Sequence, residues 1–230
     1  MVTQRFSFEV GAASTTALLY PASAASPPGH EASATLMLAH GAGAPQTHPF
    51  MVAMAEAIAN RGVEVVTFDF LYARGPRRAP DRNDVLEATW LAAIDAVRAR
   101  RPRRLFIGGK SMGGRIATQV AARDEVSVEG LVLLGYPLHP PGKPEQLRKA
   151  HLPRVRAPML FVQGSRDAFG TPTELARVLE EGGLRLSAAT RLFVVEGGDH
   201  SFALPKSRGE EPEQTRARIA EEAVRFIASR

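Results

Sequence analysis

The stretch Leu105-Phe106-Ile107-Gly108-Gly109-Lys110-Ser111-Met112-Gly113-Gly114 decides how the rest of the chain is read. Residues 105–108 are a short apolar run of the kind that forms a buried strand, and residues 112–123 continue as a helix. Between them lies G-x-S-x-G. A serine held in so sharp a strand-to-helix turn has a strained backbone, and side chains at the flanking positions would collide, so the glycines are required. The turn lifts the Ser111 hydroxyl above the sheet edge, beside a helix N-terminus whose dipole favours developing negative charge. Gly109-Lys110-Ser111 also spells the end of a phosphate loop. That motif needs a further glycine five residues before Gly109, where the chain has Arg104 at the far end of the strand.

Three more loops follow apolar runs. Residues 35–39 end in His40-Gly41-Ala42-Gly43, a turn that brings a backbone N–H toward the serine. With the amide of Met112 it would make an oxyanion hole; Ala42 is the expected second donor and Gly43 the alternative. His40 is expected to be structural. Gly41-Ala42-Gly43 does not extend to a dinucleotide fingerprint, because Gln46 stands where the third glycine belongs. Residues 159–163 lead into Gly164-Ser165-Arg166-Asp167, which places a carboxylate at a strand end. The last strand, residues 192–196, leads into Gly197-Gly198-Asp199-His200. Of the six histidines only His200 follows Asp167. Ser111, Asp167 and His200 therefore stand in nucleophile, acid, base order, with Glu174 and Asp199 as alternative acids.

The remaining elements alternate. Residues 5–10 and 16–20 read as an opening hairpin, 63–68 and 130–134 as strands, and 49–60, 84–100 and 212–229 as helices. Met51, Met54, Ala55 and Ile58 make one apolar face; Val85, Trp90, Leu91, Ile94 and Val97 make another. Thr171-Pro172-Thr173-Glu174 is a capping box that opens a helix ending near 181. Residues 21–30 and 69–81 read as loops, as do 135–158, with a short helix near 145–150. The expected fold class is α/β, a mostly parallel central sheet with helices on both faces, in one domain over residues 1–230.

Composition narrows the function. The 230 residues include no cysteine, which excludes thiolate metal sites and a cysteine nucleophile. No His/Asp/Glu cluster has ligand spacing, so neither metal nor cofactor is expected. Apolar runs stop short of about 18 residues, so no membrane segment is expected. The opening residues lack the charged-then-apolar profile of a secretion signal, and a cytoplasmic protein is expected. Net charge is +5, with 29 basic residues of which four are lysine. Arginine beside much Ala, Gly and Pro reads as compositional bias, and no aromatics interleave the 98–104 cluster, so no nucleic-acid partner is expected.

At these residues the chain resembles the α/β-hydrolases. The resemblance rests on His40-Gly41-Ala42-Gly43, Phe68-Asp69-Phe70, Gly109 to Arg115, Gly135 to Lys143, Gly164 to Asp167 and Gly198-Asp199-His200. Within that superfamily it resembles the testis-expressed hydrolase-like proteins, the hydrolase-like domain of a histone-acetyltransferase-complex subunit, and their bacterial relatives. The resemblance implies a fold related to dienelactone hydrolases and small carboxylesterases, without a large cap domain at this length. It implies a serine hydrolase cleaving an ester, thioester or related acyl bond of a small-molecule substrate. A hydrolase fold kept as an interaction module is the other reading. Around the site, Tyr136, Leu138 and His139 either form a pocket with Gly43 or belong to a structural Pro-rich loop. Asp69, Phe70 and Tyr72 are expected as the opposite wall. Arg74, Arg77 and Arg78 read as a solvated loop face, or alternatively as an attraction for an anionic substrate.

Overall fold

The computed structural model describes residues 3–23, 34–75, 79–101, 103–123, 125–184 and 189–230. Eight strands form one sheet: β1 (Gln4–Val10), β2 (Ala13–Tyr20), β3 (Ala34–Ala39), β4 (Glu64–Phe68), β5 (Arg104–Lys110), β6 (Gly130–Leu134), β7 (Met159–Gly164) and β8 (Thr190–Val195). Their order is β1-β2-β4-β3-β5-β6-β7-β8. Strand β2 runs antiparallel to both β1 and β4, and the pairs from β4 through β8 are parallel. Among the described residues five helices cover the sheet: α1 (Pro49–Ala59), α2 (Asn83–Arg100), α3 (Met112–Ala121), α4 (Pro172–Glu181) and α5 (Pro212–Ala228).

Because side chains alternate along a strand, each buried strand feeds two cores. Met37, Leu131, Leu133, Met159 and Phe161 face α2, α3 and α4. Leu36, Leu38, Val132, Leu160 and Val162 face α1 and α5. Full burial of each such side chain contributes about 1.5–3 kcal/mol. In α1 the expected face, Met51, Met54, Ala55 and Ile58, is buried. In α2 the buried face is Leu86, Thr89, Trp90, Ala93, Ile94 and Val97, while Val85 and Leu91 are half-buried. The expected stripe was one residue out of phase at the first turn, because Val85 and Leu86 are equally apolar and Trp90 fixes the rotation against Phe68, 4.8 Å away.

The elbow strand β5 extends to Lys110, longer than the apolar run, because Lys110 pairs with Leu134. No helix forms at 145–150; a single 3₁₀ turn at Leu152–Arg154 takes its place. Within 69–81 a 3₁₀ turn spans Leu71–Arg74. Arg77, Arg78 and most of the expected loop at 21–30 lie outside the described residues. Among the described residues no helix is long and apolar enough to cross a membrane.

Candidate active site

Strands β3, β5, β7 and β8 bring their C-terminal ends to one edge of the sheet, where open parallel sheets place their sites. The β5–α3 turn holds Ser111 at φ 52°, ψ −118°, a conformation L-residues rarely adopt. The neighbouring glycines make that geometry possible. A Cβ on Gly109 would lie 2.3 Å from the Ala39 carbonyl oxygen, and one on Gly113 2.4 Å from the same atom. The first turn of α3 thus rests directly on the end of β3.

Ser111 Oγ lies 2.9 Å from His200 Nε2. His200 Nδ1 lies 2.8 Å from Asp167 Oδ2 and 3.0 Å from Oδ1. This assigns the neutral imidazole tautomer, with Nδ1–H donating to the carboxylate and Nε2 accepting from the hydroxyl. The Phe169 ring packs 4.1 Å from the His200 ring. Asp167 is buried and accepts two further hydrogen bonds, from the Phe169 amide (2.8 Å) and from Gln163 Nε2 (2.9 Å). The alternative acids are engaged elsewhere. Asp199 Oδ1 accepts from the amides of Ser201 and Ala203. Glu174 closes the Thr171 capping box, and the Thr171 amide and hydroxyl hold its carboxyl below its ordinary pKa.

Gln163 has no counterpart in the sequence-derived site. Its Nε2 also donates to the Gly170 carbonyl (2.7 Å), and its Oε1 accepts from the Tyr136 amide (2.9 Å). Its amide is fully buried in an otherwise apolar strand, where its polar groups must find partners. Beneath the His40 turn a second polar network forms. His40 Nδ1 donates to the Gly41 carbonyl (2.8 Å) and Nε2 accepts from the Phe70 amide (3.1 Å). Burial lowers the His40 pKa, so the ring is neutral and pins the turn to the end of β4. Gln46 and Asp69 complete this support through two hydrogen bonds of 2.8 and 2.9 Å.

A cavity of about 610 Å³ opens over Ser111 and His200, and Ala42 and Met112 line it. Neither the Ala42 nor the Met112 amide meets an acceptor among the described residues. All seven residues expected as pocket or wall lie outside this lining. Phe70 is buried in an aromatic cluster with His40 and Phe68. Tyr136 is buried with its hydroxyl on the Arg148 carbonyl (2.8 Å), and Leu138 packs on Gly170. His139 turns toward Pro140 and Glu174, and Gly43 is exposed in its turn. Asp69 supports the turn instead of forming a wall, and Tyr72 donates to the Gly41 carbonyl from below (3.3 Å). The lining comes instead from Phe50, Met51, Leu86 and Pro137, with Lys110, Arg115 and Arg148. Burial brings the Lys110 ammonium down to about 8, with Asp167 and Asp199 opposing that fall. No three His, Asp or Glu side chains come together as a metal site among the described residues.

Comparison with known proteins agrees with this architecture. Residues 32–228 match the model of the alpha/beta hydrolase domain family. A lidless α/β serine hydrolase from Xanthomonas campestris superposes with a TM-score of 0.74 at 19% identity, covering 97% of this chain and 94% of that one. A dienelactone hydrolase from Anabaena variabilis gives 0.70 at 21% identity, covering 99% and 97%. Est1E from Butyrivibrio proteoclasticus gives 0.72 at 15% identity, covering 97% and 99%. At these identities the likeness speaks for the fold.

Proposed function

Because the chain belongs to the alpha/beta hydrolase domain family, we propose that it is a serine hydrolase of acyl bonds, with Ser111 as nucleophile, His200 as base and Asp167 as orienting acid. The observation that carries this reading is the unbroken line from Ser111 Oγ through His200 to Asp167, with contacts of 2.9 and 2.8 Å, at the wall of an open cavity. An ester or thioester of a small molecule is the substrate class.

In the first step Ser111 Oγ attacks the acyl carbonyl carbon while His200 Nε2 takes the hydroxyl proton. The carbonyl oxygen becomes an oxyanion, which accepts from the free amides of Ala42 and Met112. The imidazolium is stabilised by the Asp167 carboxylate and gives its proton to the leaving alcohol or thiol as the tetrahedral intermediate collapses. Water then attacks the Ser111 ester, loses a proton to His200, and releases the acid with Ser111 regenerated.

Incubation with a fluorophosphonate and measurement of intact mass tests the reading. The expected result is one adduct per chain on the wild type and none on Ser111→Ala, with turnover of 4-nitrophenyl esters falling by about 10⁴-fold or more in that variant. A folded wild type that takes no adduct overturns the reading.

A further inference from the structure

The cavity over Ser111 is electrostatically one-sided. Lys110, Arg115 and Arg148 line it against a single carboxylate, Asp81, which accepts from the Tyr72 amide and joins no ion pair among the described residues. Several cations elsewhere are paired. Lys149, next to Arg148, meets Glu181 at 2.9 Å; Arg123 takes Glu87 and Glu125; Arg218 takes Glu210. Neither Arg115 nor Arg148 has a carboxylate partner among the described residues. Arg115 Nη1 reaches only two neutral oxygens, at 3.4 Å (Gln119) and 3.5 Å (Asn83). Its Nε is buried with no hydrogen-bond partner at all. A buried guanidinium N–H left unpaired costs more than an ordinary unmade hydrogen bond, and a second cation nearby adds to that cost. Burial, and then the Arg148 charge, accordingly pull the Arg115 guanidinium below its ordinary pKa. An anion held by both guanidinium groups offsets the repulsion between them.

We propose that Arg115 and Arg148 form a subsite for a carboxylate carried by the substrate, so that the compound cleaved at Ser111 is a half-ester or half-thioester of a short dicarboxylic acid. The proposal rests on the hydrolase reading of Ser111. Arg115 lies one turn along α3 from Ser111, its amide donating to the Ser111 carbonyl at 3.0 Å, and both arginines line the cavity that opens over Ser111. A short chain therefore suits a substrate that meets the serine at one end and the arginines at the other. Guanidinium forks suit a planar carboxylate because two parallel N–H···O bonds form at once. Apolar Leu86 and Met51 in the same lining offer contact to the chain between the two ends.

The test compares monoethyl glutarate with ethyl pentanoate, which differ chiefly in the terminal carboxylate. Wild type is expected to favour the half-ester in kcat/KM by ~10- to 100-fold, the range for hydrogen bonds to charged groups. In Arg148→Gln that ratio collapses toward one, and Arg148→Lys, which keeps the charge without the fork, recovers part of it. Equal kcat/KM for the two esters in wild type overturns the subsite and leaves the hydrolase reading standing. Should no ester turn over and no fluorophosphonate adduct form, the hydrolase reading fails by itself. Calorimetry with glutarate then still decides the subsite: binding to wild type that is lost in folded Arg148→Gln supports it, and no binding to wild type overturns it.

Discussion

Gln163 ties together groups of two different loops without touching Ser111. Its amide ties Asp167 to the Gly170 carbonyl and to the Tyr136 amide. Gln163→Leu would leave the Tyr136 N–H and the Gly170 carbonyl buried and unpaired, at about 1–3 kcal/mol each. It would also strip Asp167 of one of its donors, freeing the carboxylate to rotate away from His200. We expect a melting temperature lower by several degrees and fluorophosphonate labelling at least about tenfold slower, still at one adduct per chain. Labelling at the wild-type rate would show that Phe169 alone suffices to aim Asp167. The residue escaped sequence reading because a single glutamine between apolar neighbours carries no motif; only the contacts give it a role. Ser111, Asp167 and His200 were legible because each stands in a glycine-bearing loop directly after an apolar run, and the chain order of the three is constrained.

At the scale of elements, the site depends on how closely α3 crosses the end of β3. Gly113 lies in the first turn of that helix, and a Cβ there would fall 2.4 Å from the Ala39 carbonyl oxygen and 2.6 Å from that of His40. Both obstacles are backbone, so no side-chain rotation relieves them. Gly113→Ala must push the helix N-terminus away from the His40 turn, separating the Met112 amide from Ala42. The expected loss is about 3 kcal/mol or more of stability, in the range of a forced backbone shift. Any protein that still folds should label slowly, since the proposed oxyanion hole needs the Met112 amide beside that of Ala42. Equilibrium denaturation and labelling of the same sample check both; an unperturbed midpoint would mean that α3 can slide on β3. The elbow motif announces this packing in sequence, whereas the cavity walls it does not. Tyr136, Leu138 and His139 are of types that line pockets or fill cores equally well, and the Gln163 clamp on the Tyr136 amide turns that loop inward. The sequence assigns neither Arg115 nor Arg148 a binding role, because nothing local says that their charges go unpaired.

Across the whole molecule, the layered architecture follows from period-2 burial in the strands and period-3.6 faces in the helices, both visible before any coordinates. Sheet order was less accessible, because parallel strands pair through crossovers whose partners no short-range signal names. The segment 135–158 shows the limit most plainly: it is held by tertiary contacts, not by a helix of its own. Its far end is fastened to α3 by His151, whose Nε2 shares a hydrogen bond of 2.7 Å with the Thr118 hydroxyl. Burial, then the charges of Arg115 and Arg154, lower the His151 pKa to about 4. The unfolded imidazole titrates near 6.5, so the folded state binds this proton less readily than the unfolded chain. Stability from this group is therefore complete above about pH 6.5 and is lost as pH falls toward 4. Within that window the slope approaches about 1.4 kcal/mol per pH unit for one fully linked proton. Denaturant titrations of wild type and His151→Gln at pH 7, 6, 5 and 4.5 isolate the contribution, since other groups cancel in the difference. The wild-type advantage, or the smallest wild-type deficit, should lie at pH 7 and decline steadily to pH 4.5. A difference that stays constant with pH would mean that His151 keeps its proton equilibrium on folding, and that the loop is held on α3 by packing of Tyr136 and Leu152 alone.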